Sequence, residues 1–94
     1  PIYKRIAYLD YDKLDFPLTL RTWKEGDWFI PFGMKGRKKL SDYFSDHKFS
    51  RIEKERTWLL CSGDAIVWVV GERTDNRFRM DESTKRVLIV NFLG

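Results

Sequence analysis

Cysteine, histidine and long apolar runs are scarce in this 94-residue chain, and each scarcity excludes a class of protein. The single cysteine, Cys61, cannot form an intrachain disulfide and lies in an apolar run, so we expect a small buried side chain and a reducing, cytoplasmic compartment. The single histidine, His47, has no second histidine or recognisable nucleophile partner, which favours a half-buried or helix-surface role over catalysis. No apolar run reaches the length of a membrane span, and the N-terminus has no secretion signal, so we expect no membrane partner.

Positive charge is what the chain has in excess, and it is concentrated in one window. The net charge is +4, and residues 21–56 hold 10 Lys or Arg against 6 Asp or Glu, whereas the other 58 residues balance at 8 against 8. Within this window aromatic residues alternate with Gly and Pro before three consecutive cations, Arg37, Lys38 and Lys39. This arrangement favours a polyanionic partner over a small substrate.

The length predicts a single domain over 1–94, and because the chain begins with Pro1 rather than Met we expect a fragment of a longer protein. Leu18 and Leu20 are expected to lie on the core-facing side of the predicted strand over 18–23. Apolar periodicity and turn residues predict strands at 2–10, 18–23, 28–30, 57–61, 65–70, 77–80 and 85–92. With two helices in mid-chain, the predicted fold class is α+β, a small β-sandwich-like domain or a half-open barrel with two short helices at one end.

Two local signals predict these helices. Apolar residues over 40–47 recur at the spacing of one helix face. Ser50 followed by Glu53 matches a capping box at the start of a second helix, which is predicted to end near Arg56. Among the aromatic residues, Trp58 and Trp68 lie in apolar strands and are predicted to be core residues.

The cationic run leaves two interpretations open. Gly33 and Gly36 would let the backbone approach phosphates, and neighbouring cations and helix amides point the same way, as nucleic-acid binding requires. The alternative is a solvated, lysine-rich loop. The glycine spacing also matches the GXXG of a KH domain, but Pro31 and Phe32 precede it where that domain has a helix. The acids between 10 and 15 are expected to be surface turn residues, because a calcium loop opening at Asp10 would need Gly at its sixth position.

Three ordered motifs link the chain to a known family. They are Leu-x-Leu-Arg-x-Trp with Gly-Asp at 18–27, Pro-x-Gly-Met-x-Gly-x-Lys-Lys-Leu-x-Asp at 31–42, and Ile-Val-Trp-Val-Val-Gly-x-Arg at 66–73. In this order the chain resembles the C-terminal domain of bacterial tRNA(Ile)-lysidine synthetases. The resemblance implies a fold shared with part of the phenylalanyl-tRNA synthetase β subunit, a β-sandwich with packed helices.

The resemblance also implies a function for the parent enzyme and a role for this part of it. The full enzyme would ligate lysine to the wobble cytidine of isoleucine tRNA, using ATP and Mg²⁺ in an N-terminal catalytic domain that this chain lacks. The chain itself would have no catalytic residue, metal or cofactor, and would contact tRNA-Ile and its own catalytic domain. The implied tRNA-binding residues are Lys35, Arg37, Lys38 and Lys39, followed by Lys48, Arg51, Arg73 and Arg77.

A second hypothesis keeps the family but changes the role. In it the domain is a non-catalytic homodimerisation or interdomain docking module, and the cations only keep it soluble. The segment from Gly26 to Met34 would supply the apolar docking patch through Trp28, Ile30, Phe32 and Met34.

Overall fold

Seven strands and two α-helices follow one another in the computed structural model, which describes residues 2–94 and the side chains of residues 4–94. Short 3₁₀ helices occupy Ile2–Arg5, Tyr11–Lys13 and Asn76–Phe78. The strands are β1 (Ile6–Asp10), β2 (Leu18–Thr22), β3 (Trp28–Phe29), β4 (Lys38–Lys39), β5 (Trp58–Ser62), β6 (Ala65–Val69) and β7 (Val87–Asn91), and the helices are α1 (Leu40–Asp46) and α2 (Arg51–Arg56). The α+β class is confirmed.

The strands form three antiparallel sheets, in the orders β2–β5–β6, β1–β7 and β3–β4. The central three-stranded sheet lies between two hydrophobic clusters. On one face Leu59 and Val69 pack with Phe44 of α1. On the other face Leu60 and Val70 pack with residues of the β1–β7 sheet. The domain therefore has a helix layer, a central sheet and a two-stranded layer.

A β-bulge lets β6 supply both clusters. Leu60 of β5 is paired with Trp68, but the next residue, Cys61, is paired with Ile66, so Val67 has no partner. Because of this extra residue Val67 and Trp68 both belong to the cluster under the two-stranded layer, whereas Ile66 packs towards α1. The prediction that β6 is buried on both faces is confirmed, as is the buried position of Cys61.

The helix signals of the sequence are confirmed. Leu40, Tyr43 and Phe44 are the buried residues of α1. At the start of α2 the Glu53 amide donates to the Ser50 hydroxyl at 3.1 Å, and the Ser50 amide donates to the Glu53 carboxylate at 2.8 Å. These hydrogen bonds hold the pKa of Glu53 below its usual value.

Helix α1 ends in a Schellman motif. The Phe49 amide donates to the Phe44 carbonyl at 2.9 Å, and the Lys48 amide donates to the Ser45 carbonyl at 3.1 Å. The rings of Phe44 and Phe49 pack with their centroids 4.9 Å apart, which is the apolar contact typical of this motif. Lys48 occupies the left-handed position with a φ of 58°, where glycine is the usual residue.

Two predicted strand segments are wrong. Ile2–Arg5 forms a 3₁₀ helix, so the first strand begins only at Ile6. Residues 77–80 were predicted as an edge strand, but the Asp75 carboxylate accepts the Arg77 amide at 2.8 Å and caps a 3₁₀ helix there. A single β-bridge between Leu9 and Arg79 remains of the predicted strand.

Three burial predictions are also wrong. Leu20 is 58% exposed, because β2 is an edge strand and the two-stranded β1–β7 layer is too narrow to cover it. Trp58 is 41% exposed, because it is the first residue of β5 and pairs with Thr22 at the end of the sheet. Asp10, predicted as a surface acid, is buried where its carboxylate accepts the Thr84 hydroxyl at 2.8 Å.

Within residues 2–94 every helix is too short, or too polar, to cross a lipid bilayer.

Candidate nucleic-acid interface

A tight turn before β3 begins the candidate site. The Arg21 guanidinium donates to both carboxylate oxygens of Asp27, at 2.8 and 2.9 Å, and the Lys24 amide donates to the same carboxylate at 2.8 Å. Burial opposes ionisation of Asp27, but these hydrogen bonds outweigh it and hold its pKa below the usual value. The same pairing raises the pKa of Arg21. The turn is therefore fixed by a bidentate ion pair and sets where β3 starts.

The basic run includes strand β4 and leads directly into helix α1. β3 pairs with β4 so that Trp28 lies opposite Lys39 and Phe29 lies opposite Lys38. Side chains directly opposite each other share a sheet face, and a diagonal neighbour shares it too, so Trp28, Lys39 and Arg37 lie on one face. Lys38 lies on the other face, where its ammonium pairs with Asp46 at the end of α1.

A buried carboxylate joins the segment after β3 to a distant part of the chain. Asp75 is fully buried, and its oxygens accept the Ile30 amide at 2.8 Å and the Arg77 Nε and Nη2 at 2.9 and 2.8 Å. The Phe32 amide donates to the Thr74 carbonyl at 2.9 Å. The two segments therefore lie side by side, although more than forty residues separate them in sequence.

Trp28 contacts two cations from distant parts of the chain, Arg37 and Arg77. The guanidinium carbon of Arg37 is 4.0 Å from the centroid of the Trp28 ring, and that of Arg77 is 4.6 Å from it. Such contacts hold a guanidinium group over the ring while leaving outward-facing N–H donors available. Forty residues separate Arg37 and Arg77 in sequence, and the fold brings both guanidinium groups to this indole.

The predicted binding residues divide into two sets. Five lie on or next to the joined segments, within residues 35–39 and 73–77, and we call them the basic surface: Lys35, Arg37, Lys39, Arg73 and Arg77. The other three have different settings. Lys38 is paired with Asp46, and Lys48 lies two residues after the end of α1. Arg51 is 90% exposed at the start of α2, where it pairs with Glu55 at 3.3 Å.

Two residues that organise the basic surface were missed from the sequence. Asp75 holds Arg77 and the backbone at Ile30, and Asn76 accepts the Gly33 amide at 2.9 Å. An Asp followed two residues later by Arg is a local signal for a capped turn, and it could have shown that Asp75 and Arg77 interact. Nothing local indicates that Asn76 reaches the loop containing Gly33.

A protein-family model matches most of the chain. The model described as the TilS substrate C-terminal domain matches residues 18–90, which include both joined segments. Among curated proteins, the chain is similar to the tRNA(Ile)-lysidine synthase of Parabacteroides distasonis, with 99% identity over 97% of this chain and 21% of that protein. It is also similar to the synthase of Bacteroides thetaiotaomicron, with 58% identity over 95% of this chain and 21% of that protein. The chain thus spans about a fifth of the length of these relatives.

Two solved structures share the fold. A crystal structure described as the TilS C-terminal domain superimposes with a TM-score of 0.81 and 26% identity, over 94% of this chain and 68% of that one. An N-terminal fragment of the phenylalanyl-tRNA synthetase β subunit from Pyrococcus horikoshii superimposes with a TM-score of 0.73 and 21% identity, over 89% of this chain and 26% of that one. The second match concerns the fold alone, and it confirms the architecture predicted from the resemblance.

Proposed function

The chain belongs to the family of TilS C-terminal domains, and from that premise we propose that it is the tRNA-binding module of a tRNA(Ile)-lysidine synthase. Its ligand in this proposal is tRNA-Ile, held through ribose and phosphate groups. The reaction, an ATP- and Mg²⁺-dependent ligation of lysine to the wobble cytidine, belongs to the N-terminal catalytic domain outside this chain. The module and that domain share one polypeptide in the cytoplasm.

One observation carries the proposal: the fold joins two cationic segments around Trp28 and leaves cations there exposed. Lys35, Arg37, Lys39 and Arg73 are exposed, and Arg77 is partly so. Guanidinium groups fit phosphate oxygens in bidentate geometry, and duplex RNA is bound mainly through its backbone and shape. The buried Asp75 holds the Arg77 guanidinium in place before any ligand arrives, so less side-chain entropy is lost on binding.

The salt dependence of tRNA binding tests this proposal. The triple variant Lys35→Gln/Arg37→Gln/Lys39→Gln removes three exposed cations of the basic surface. Each phosphate contact adds roughly 0.7–0.9 to the slope of log K against log salt, so loss of all three should reduce that slope by about 2–3. Fluorescence titration of the 94-residue chain with tRNA-Ile at several salt concentrations measures it.

A matched variant separates a local effect from net charge. Lys24→Gln/Arg56→Gln/Lys85→Gln removes three exposed cations that lie outside the basic surface. We expect its slope to stay within about 1 of the wild-type value, since unspecific attraction falls off within a Debye length. Equal slopes for the two triple variants would contradict the assignment of the basic surface.

Homodimerisation or interdomain docking is a second candidate, and exposed apolar side chains favour it. Phe32 and Met34 are 49% and 47% exposed, although Trp28 and Ile30 of the same predicted patch are partly buried. Tyr8 and Ile89 lie opposite each other on the outer face of the β1–β7 sheet and are 49% and 55% exposed. Sedimentation velocity distinguishes tRNA binding from docking, because a dimer that forms with rising protein concentration and is unaffected by added RNA would favour docking.

A further inference from the structure

We propose that the cleft beside Phe32 receives one unpaired base of the bound RNA, which stacks on the Phe32 ring. This inference rests on the proposed function and adds a second mode of contact to it. The basic surface would hold the backbone of paired RNA, and the cleft would bind a nucleotide that is not in a duplex. A base inside a duplex has both faces covered by neighbouring base pairs, so the two modes require different parts of the RNA.

The backbone around Phe32 is held from several sides. Its amide donates to the Thr74 carbonyl at 2.9 Å, its carbonyl accepts the Arg73 guanidinium, and the next amide, of Gly33, donates to Asn76 at 2.9 Å. Pro31 before it is fully buried. A ring that is half exposed on a backbone fixed in this way is a rigid platform, and little conformational entropy is lost when a base stacks on it.

The cleft has the size and the charge for a base followed by a phosphate. It has a volume of about 260 Å³, smaller than the roughly 300–1,000 Å³ of sites that enclose drug-sized ligands, so it suits one ring system better than a larger molecule. Phe32 and Trp68 contribute its aromatic lining, and Lys4 and Arg73 contribute cations. Aromatic rings beside cations are the combination that binds single-stranded nucleic acid.

The one acid of the cleft is already engaged. Glu72 lines it, but its carboxylate accepts the Tyr43 hydroxyl at 3.0 Å. Burial, together with the charge of Glu72, raises the pKa of Tyr43, so this hydroxyl keeps its proton and remains a donor. The carboxylate is therefore held by a donor from α1, and Lys4 and Arg73 outnumber it at the cleft.

Trp28 is the less suitable platform, although it is the larger ring beside the basic surface. Arg37 and Arg77 both lie over its ring, at 4.0 and 4.6 Å from the centroid. A base would have to displace a guanidinium group, and Arg77 is also bonded to Asp75. No cation–π contact covers Phe32 among the residues that the structure describes.

Two RNA hairpins with equal numbers of phosphates test the inference. One carries a short unpaired 3′ tail, and the other is blunt and lengthened by base pairs until the phosphate counts match. We expect the 94-residue chain to bind the tailed hairpin about tenfold more tightly, which is within the range for stacking of a base on an aromatic side chain. Phe32→Leu should reduce this ratio to about one, and Phe32→Tyr should keep it.

Met34→Leu provides the matched control, because Met34 is an exposed apolar residue of the same loop and its replacement should leave the ratio unchanged. Equal binding of both hairpins by the wild-type chain would overturn the inference, and so would a Phe32→Leu variant that keeps the ratio. Loss of self-association in Phe32→Leu without a change in RNA binding would also overturn it and favour docking. If neither hairpin shows salt-dependent binding, the proposed function itself fails, which is a different result.

Discussion

Asp75 is the residue on which the site geometry depends most. It is fully buried, yet it accepts hydrogen bonds from the Ile30 and Arg77 amides and from the Arg77 guanidinium. A buried carboxylate is costly unless each oxygen is satisfied, and here each oxygen accepts at least two donors. The same four hydrogen bonds that make this burial possible also fix Arg77 beside Trp28, so stability and surface geometry have one cause.

Asp75→Asn should therefore weaken both the fold and the binding of RNA. The amide NH₂ of Asn cannot accept, so at least one buried donor loses its partner and the Arg77 guanidinium loses its counter-charge. We expect a loss of about 2–4 kcal/mol in the free energy of unfolding, measured by urea denaturation, and weaker tRNA binding at constant salt. Asp64→Asn, in an exposed turn, is the control and should change the unfolding free energy by less than about 0.5 kcal/mol. A stable Asp75→Asn protein would show that the hydrogen bonds around Asp75 are dispensable.

At the scale of elements, local signals located the helices well and the smallest strands poorly. The capping box at Ser50 and the apolar spacing over 40–47 are contained within a few residues, so the sequence shows them directly. β4 has only two residues, both lysines, and exists because it pairs with Trp28 and Phe29. The 3₁₀ helix after Asp75 replaced a predicted strand because a side chain caps it. Such elements depend on a paired strand or a capping side chain that the local sequence pattern does not reveal.

The end of α1 gives a prediction at this scale. Lys48 holds a left-handed φ of 58° in the Schellman motif, a conformation that costs a side-chain-bearing residue about 1–2 kcal/mol. Glycine avoids this cost but has more entropy to lose on folding, so Lys48→Gly should raise the free energy of unfolding by about 0.5–1 kcal/mol. Urea denaturation with an unchanged m-value checks this. Lys48→Ala should give no gain, and equal effects of the two variants would mean that the strain relieved by glycine is no larger than the extra entropy that glycine loses on folding.

At the scale of the whole molecule, the sequence showed which segment carries the excess positive charge, but it did not show which cations share a surface of the folded domain. The cations of the run before α1 are adjacent in sequence, so their grouping was visible at once. Arg73 and Arg77 join them only because the segments at 30–33 and 74–77 pair across the fold. Lys48 and Arg51 were predicted on the same grounds, but they lie at the junction of α1 and α2. Closeness in sequence therefore shows where charge is concentrated, but the fold decides on which face each cation lies, as Lys38 beside Asp46 shows.

A ligand that binds only the folded surface must stabilise the whole domain, and this gives the last prediction. At a tRNA-Ile concentration about tenfold above Kd, mass action adds roughly 1.4 kcal/mol to the free energy of unfolding, which should raise Tm by about 5–10 °C for a domain of this size. The fluorescence of the four tryptophans reports the protein transition without interference from RNA melting. Because the contacts are mainly ionic, the rise should vanish near 1 M salt and shrink in Lys35→Gln/Arg37→Gln/Lys39→Gln. A rise that persists at high salt would instead place most of the binding energy in apolar contacts such as those of Phe32, and the basic surface would then be secondary.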